Sequence, residues 1–289
     1  MASTLLIANA GAGTDNDRLT GLADALPGDV ERVALRSGDD LPARVRDAKQ
    51  AVERIVLCGG DGTVNWALDA LLDAERPVGL IPSGTANDLA RSLGIPDDPW
   101  QAIEIIRDGH QRKIDVARAN GKSFINALGI GLGPLTTRAM DSDEKAKLGV
   151  GAYFLGLIRA LRRAPHFEAR IRSEDDVRQG RFLQITIANG IHYGGGMTVS
   201  AQARLDDGRL DVLLVRASSR WQLLANALRF KTGWTDNSEL LDHWQCRSIE
   251  VETTPDLDVT ADGEFLLRTP LKCEILPQAL TLFAPETGQ

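Results

Sequence analysis

The chain is poor in several features that particular protein classes require. Its 289 residues contain three cysteines, Cys58, Cys246 and Cys273, none spaced from another as paired metal ligands are. That argues against a disulfide framework or a zinc-ribbon site, and the cysteines read as reduced core residues of a cytoplasmic protein. A basic surplus is missing too: 33 Lys and Arg face 40 Asp and Glu, a net charge of -7, which speaks against broad nucleic-acid binding. No apolar run approaches the ~20 residues of a membrane span, and the longest, Leu148 to Leu161, is interrupted by Arg159. Leu5 to Ala8 is apolar, but it is too short for a signal peptide and no basic region precedes it. The reading is a soluble cytoplasmic chain whose membrane contact, if any, is peripheral and at the inner membrane face. With 43% apolar and 25% charged residues, a sizeable core is within reach.

What the chain does have is one dense stretch, Ile55 to Asn65. Four apolar residues, Ile55, Val56, Leu57 and Cys58, read as a strand buried on both faces, and Gly59, Gly60 and Gly62 break it abruptly. Val64 to Leu72 then reads as a helix with Val64, Leu68, Leu71 and Leu72 on its apolar side. Uncovered N–H groups and the positive end of a helix dipole favour an anion at such a turn. Asp61 would repel bare phosphate there, so the pattern suits a metal-bound nucleotide; the other reading makes Asp61 a helix cap. A second strand, Val78 to Ile81, leads into Pro82-Ser83-Gly84-Thr85-Ala86-Asn87-Asp88 and a helical Leu89 to Leu93. In a parallel sheet both turns lie at one carboxyl edge, where open α/β sheets bind ligands.

The rest of the N-terminal part alternates in the same way: strands at Thr4 to Ala8, Val30 to Leu35 and Arg112 to Ala117, helices at 17–26, Leu41 to Val52 and Trp100 to Arg107. This is α/β with a parallel sheet. Beyond Asn120-Gly121 strand-like runs dominate: Phe124 to Leu128, Phe167 to Arg172, Arg181 to Ala188, Thr198 to Ala201, Leu210 to Val215, Ser248 to Thr253 and Leu257 to Ala261. Helical stretches at Lys145 to Arg163 and Arg220 to Phe230 interrupt them. The second part is expected to be a β-rich, sandwich-like domain. Within those helical stretches Gly149 to Arg163 and Trp221 to Lys231 are amphipathic with terminal cations, a pattern shared by membrane-surface helices and, more commonly, helices packed on a sheet.

Two further motifs carry chemistry. Asp262-Gly263-Glu264 reads either as a hairpin turn or as a carboxylate able to take a proton from an alcohol during phosphoryl transfer. Arg204-Leu205-Asp206-Asp207-Gly208-Arg209-Leu210-Asp211 reads either as a solvated turn or as a hard-cation site.

Taken together, Gly-Gly-Asp-Gly-Thr (59–63), Gly-Thr-Ala-Asn-Asp (84–88), Asn-Gly (189–190) followed by Gly-Gly-Gly (194–196), Asp-Asp-Gly (206–208) and Asp-Gly-Glu (262–264) resemble the diacylglycerol kinase catalytic-domain family of lipid kinases. The first motif is shared with NAD kinases; the second is much more specific. The resemblance implies an NAD-kinase-like α/β nucleotide domain at 1–119 rejoined by 277–289, and a β-rich lipid-substrate domain at 120–276. It implies ATP held by Asn9, Gly59, Gly60, Asp61, Gly62, Thr63, Asn65, Gly84, Thr85, Asn87 and Asp88, with Asp61 also serving catalysis. It makes Glu264 the general base toward a lipid hydroxyl, of diacylglycerol, sphingoid or phosphatidylglycerol type. It further implies Mg2+, an accessory ion being held by the Asp207 side chain and the backbone carbonyls of Arg204 and Arg209. Three positions depart from the family pattern: Ala10 for proline, Thr14 for a basic residue and Gly133 for aspartate. An NAD kinase and a non-catalytic nucleotide or lipid sensor of the same fold stay open as alternatives.

Overall fold

The computed structural model describes residues 3–9, 16–35, 38–48, 51–131, 166–190, 192–193, 197–198, 203–216, 241–262 and 264–286. The N-terminal half runs β1 (Thr4–Asn9), α1 (Asn16–Ala25), β2 (Val30–Leu35), α2 (Leu41–Ala48), β3 (Arg54–Gly59), α3 (Asp61–Ala74), β4 (Val78–Pro82), α4 (Asp88–Ser92) and α5 (Pro99–Asp108). Its strands pair in parallel in the order β2-β1-β3-β4. Because side chains alternate across a strand, Leu5, Ile7, Ile55, Leu57 and Leu80 face one side, in a core shared with α2 and α3. Leu6, Ala8, Val56, Cys58 and Ile81 face the other, against Leu22 of α1 and Ile103 and Ile106 of α5. Both faces of β1, β3 and β4 are therefore covered, which is why these three read as apolar runs.

Helix α3 starts within the first glycine turn and so fixes where that turn's N–H groups point. Val64, Ala67, Leu68, Ala70, Leu71 and Ala74 are buried along it, so burial of this face, rather than the glycines at its start, holds it on the sheet. Leu68 is fully buried, and Leu68→Ala is expected to lower unfolding free energy by about 2–5 kcal/mol. Urea denaturation of the two proteins checks this.

The second half comprises β5 (Gln111–Ala119), β6 (Lys122–Phe124), β7 (Ala127–Gly131), β8 (Phe167–Ser173), β9 (Val177–Ala188), β10 (His192–Tyr193), β11 (Met197–Thr198), β12 (Leu210–Arg216), β13 (Leu241–Cys246), β14 (Ser248–Thr254), β15 (Asp258–Ala261), β16 (Glu264–Arg268) and β17 (Leu271–Phe283). Strands β16, β15, β7, β9, β8, β14 and β17 pair in that order, with β12 joined to β9 and β13 to β12. This is the β-rich, sandwich-like part, with a core of its own around Phe124, Phe182, Ile185, Val212 and Val251.

One strand links the halves. β17 pairs antiparallel with β14 through Leu271 to Glu274, then runs parallel to β4 at Leu282, with β5 antiparallel beside it along most of its length. A register shift between Leu276 and Leu280 and a left-handed Gln278 (φ 51°) mark the change of neighbours. The segment 277–289, expected to rejoin the first half, thus begins within a longer strand that ends at Phe283.

Other expectations shift locally. The helix expected to reach Val52 ends at Ala48. The strand expected over Phe124 to Leu128 is broken at Ile125-Asn126, β6 pairing with β5 and β7 with β9 and β15. The backbone N–H groups of Asn126 and Ala127 donate instead to the Asp262 carboxylate. The helical stretches expected at Lys145 to Arg163 and Arg220 to Phe230, both amphipathic segments included, lie outside the described residues, as do Ala10, Thr14, Gly133 and Gly194-Gly195-Gly196. All three cysteines are buried.

Candidate active site

Parallel register sets the two glycine turns side by side. Gly59 pairs with Pro82 at the ends of β3 and β4, and the Ser83 N–H donates to the Gly59 carbonyl at 3.1 Å. The turns then touch backbone to backbone. A Cβ placed on Gly60 would lie 2.9 Å from the Gly84 Cα, and one on Gly84 would lie 2.7 Å from the Gly60 Cα. Only glycine at both positions lets the turns close on each other.

Polar side chains hold the second turn in shape. Asn87, left-handed at φ 50°, accepts from the Gly84 N–H through Oδ1 at 3.0 Å and donates from Nδ2 to the Gly84 carbonyl and to Asp97 Oδ1, both at 3.0 Å. The Asp61 carboxylate reaches across from the first turn: Oδ2 accepts from the Asp88 N–H at 2.9 Å and Oδ1 from the Leu89 N–H at 3.1 Å. Asp61 therefore caps the helix after the neighbouring turn, not its own, and its charge is set against the first two amides of α4. Asp88 is buried and takes a bond from Arg91 Nη1 at 3.3 Å. Thr85 is exposed and Thr63 buried. Asn9 ends β1 at this same carboxyl edge, its backbone in register with Leu35 of β2.

Glu264 comes to this edge from the other half of the chain. It opens β16, is exposed, and its Oε1 lies 3.8 Å from where a Cβ on Gly62 would stand. Its approach is set by Asp262, left-handed at φ 49°, which accepts from Asn65 Nδ2 at 2.7 Å and from the Ala127 N–H at 2.9 Å. The structure thus collects Gly59, Gly60, Asp61, Gly62, Asn65, Gly84, Asn87, Asp88 and Glu264 around the N-terminal end of α3. Glycine-backed N–H groups on one side and a solvent-facing carboxylate on the other suit an anionic ligand next to a proton acceptor.

Comparison with known proteins gives the family. The family model described as "Diacylglycerol kinase catalytic domain" matches residues 3–119, and that described as "YegS C-terminal NAD kinase beta sandwich-like domain" matches residues 129–284. The chain belongs to the diacylglycerol kinase family of lipid kinases. Among curated relatives, a "Probable lipid kinase YegS-like" of Chromohalobacter salexigens is 30% identical over 260 residues, covering 88% of this chain and 83% of the relative. A protein of the same name from Pseudomonas aeruginosa is 34% identical over 264 residues, 86% of each chain. A "Diacylglycerol kinase" of Staphylococcus saprophyticus is 29% identical over 254 residues, 86% of this chain and 82% of that one. A crystal structure of a diacylglycerol kinase from Bacillus anthracis superposes with a TM-score of 0.80 at 30% identity, covering 98% and 97% of the two chains.

In this lipid kinase family member the Asp207 region lies apart in sequence from the glycine turns and is crowded with acids. Asp207 Oδ1 accepts from the Arg209 N–H at 3.0 Å and Oδ2 from Gln245 Nε2 at 3.3 Å. Fully buried Asp211 is 2.8 Å from His243 Nε2, and fully buried Asp115 accepts from the N–H groups of Gly208 and Gln278, both at 2.7 Å. Burial, then the charges of Asp211 and Asp115, push the Asp207 pKa above its ordinary value. Arg204 binds Asp206 at 3.0 Å, and Arg112 binds the same carboxylate at 2.8 Å. Among the described residues no three His, Cys, Asp or Glu side chains converge as a metal cage. Asp115, His243 and Gln245 escaped the sequence reading, and Asp211 entered it only as the last residue of its motif. Only Asp115 left a signal, an acid between Ile114 and Val116 in a buried strand.

Asp262 was also overlooked as anything more than part of its motif. Burial pushes its pKa from 3.8 up to about 6, against the opposing bonds from Ala127, Asn65 and Asn126. The folded chain then holds this proton more tightly than the unfolded chain does. The associated stability is present below about pH 4 and is lost as pH rises to about 6, on the order of 3 kcal/mol. Thermal unfolding from pH 4 to 7 should show this loss in the wild type but not in Asp262→Asn, after correction for changes the two share.

Proposed function

We propose that this protein transfers the γ-phosphoryl group of ATP to the hydroxyl of a lipid. The observation that carries the reading is Glu264 set 3.8 Å from the Gly62 Cβ position, beside two interlocked glycine turns. Gly59, Gly60, Gly62 and Thr63 at the start of α3, with Asn9, Asn65, Gly84, Thr85, Asn87 and Asp88, bind the nucleotide, and Asp61 holds the two turns in one shape. The lipid oxygen attacks the γ-phosphorus as its proton passes to Glu264, the bond to the ADP oxygen breaks, and ADP leaves. Positioning supplies much of the rate, since the protein aligns the reactants and contributes no covalent chemistry of its own.

The residues present fit magnesium. Asp207 carries a raised pKa beside two other acids, a grouping that a cation would relieve, and the Arg204 and Arg209 carbonyls would complete the protein ligands. Magnesium bound with ATP would offset phosphate charge, and an ion at Asp207 would offset that of the neighbouring acids. The names of relatives favour diacylglycerol as acceptor, with sphingoid bases and phosphatidylglycerol as the next candidates.

Among the described residues no helix is long and apolar enough to cross a membrane; a lipid acceptor then requires contact at a bilayer surface. The test is ADP release by the purified protein with Mg-ATP and vesicles carrying each acceptor. Release that depends on one lipid supports the reading; release that depends on NAD moves the assignment to an NAD kinase. No release with any acceptor favours a sensor.

A further inference from the structure

Asp262 and Asn65 are 197 positions apart in sequence, and each belongs to a different half of the site. Asn65 stands three residues after Gly62 on α3, about one turn along the same face. Asp262 stands two residues before Glu264. Its carboxylate is fastened on its own side by the Ala127 N–H at 2.9 Å and the Asn126 N–H at 3.4 Å, while its own N–H donates to the Ala127 carbonyl at 3.0 Å. The remaining bond crosses to Asn65 Nδ2 at 2.7 Å. Asn65 Oδ1, at the other end of the same amide, is buried with no hydrogen-bond partner among the described residues.

A turn-forming aspartate needs none of this reach. Left-handed Asp residues ordinarily bond their own backbone nearby; this one bonds a helix from the other half of the chain. We propose that Asp262 is a positioning residue: by binding Asn65 it sets how far Glu264 stands from the N-terminal end of α3, keeping proton acceptor and phosphate cradle in register. The proposal rests on the phosphoryl-transfer reading of the same site. If the bond is lost, the β15–β16 turn is free to drift relative to α3, and a displacement of about 1 Å at a reacting centre costs on the order of 100-fold in rate. The nucleotide still has its glycine turns.

The test is a double-mutant cycle of Asp262→Ala and Asn65→Ala, accompanied by Asp262→Asn and by the exchanged pair Asn65→Asp/Asp262→Asn. In the exchanged pair the new amide at 262 donates to the new carboxylate at 65 and still accepts from Ala127, so the tie is rebuilt in reverse. Lipid-dependent ADP release gives kcat and KM for each protein. The expected result is a fall in kcat of roughly 30- to 100-fold for Asp262→Ala, with its KM for ATP within about threefold of wild type. The double variant should be no slower than the slower single, and the exchanged pair should recover at least about tenfold of the loss.

Losses that multiply in the double variant, or an Asp262→Ala protein that melts earlier yet keeps its kcat, overturn the proposal. Should Asp262→Ala fail to fold, the comparison of Asp262→Asn with the exchanged pair decides. If wild type shows no lipid-dependent turnover, the kinase reading fails separately. The tie is then read from unfolding temperatures, where shifts that simply add in the double variant overturn it and shifts that fall short of adding support it.

Discussion

Replacing Glu264 by glutamine is expected to reduce lipid phosphorylation by roughly 100- to 10,000-fold, the range a positioned general base supplies. The side chain is exposed at the start of β16, and its core neighbours do not depend on its charge. Unfolding temperature should therefore stay within about a degree of wild type, as for most surface substitutions. Affinity for ATP should also be nearly unchanged, because glutamine keeps the size of the side chain and removes only the ability to take a proton. Equilibrium binding of a fluorescent ATP analogue, beside turnover, separates the two effects. A variant that loses binding and turnover together would place Glu264 in nucleotide contact instead.

The second large effect is expected at Gly84. A methyl group there would stand 2.7 Å from the Gly60 Cα and 2.9 Å from Asn87 Oδ1. The nearer atom is backbone and cannot swing aside, so the two turns must part. Parting them pulls Asp61 away from the Asp88 and Leu89 amides. Gly84→Ala should lose on the order of 100-fold in turnover and at least about tenfold in ATP affinity, with a fall of several degrees in melting temperature. Gly62→Ala supplies the contrast. Its Cβ would meet nothing closer than Glu264 Oε1 at 3.8 Å, so its melting temperature should match wild type whatever happens to activity. Calorimetry on the two variants checks the difference.

Much of this architecture can be read from sequence where the cause is local. Ile55 to Cys58 read as a buried strand because both faces of β3 are covered, and the glycines after Cys58 mark the turn without any structure. The same is true of Val78 to Ile81 and the turn behind it. Features that depend on distant partners are not legible. The two bonds of Asp61 go to Asp88 and Leu89, 27 and 28 residues on, partners that its neighbours in sequence do not reveal. The break between β6 and β7 is invisible in Phe124 to Leu128, since the side chain that takes up those amides is Asp262. Strand β13 escapes detection because Leu241-Asp242-His243-Trp244-Gln245-Cys246 shows little alternation; its place is set by pairing with β12. The acids around Asp207 are likewise gathered from separate strands by the fold.

The central claim is that the glycine turns and Glu264 form one phosphoryl-transfer site acting on a lipid. It is tested most directly by incubating wild type, Glu264→Gln and Gly84→Ala with magnesium and γ-labelled ATP. Vesicles carrying diacylglycerol, a sphingoid base or phosphatidylglycerol are the acceptors, with NAD in a parallel reaction. Label in a lipid product of the wild type, lost in both variants while Glu264→Gln still binds ATP, is the predicted result. Label in NADP, or label in lipid that survives Glu264→Gln, would contradict it.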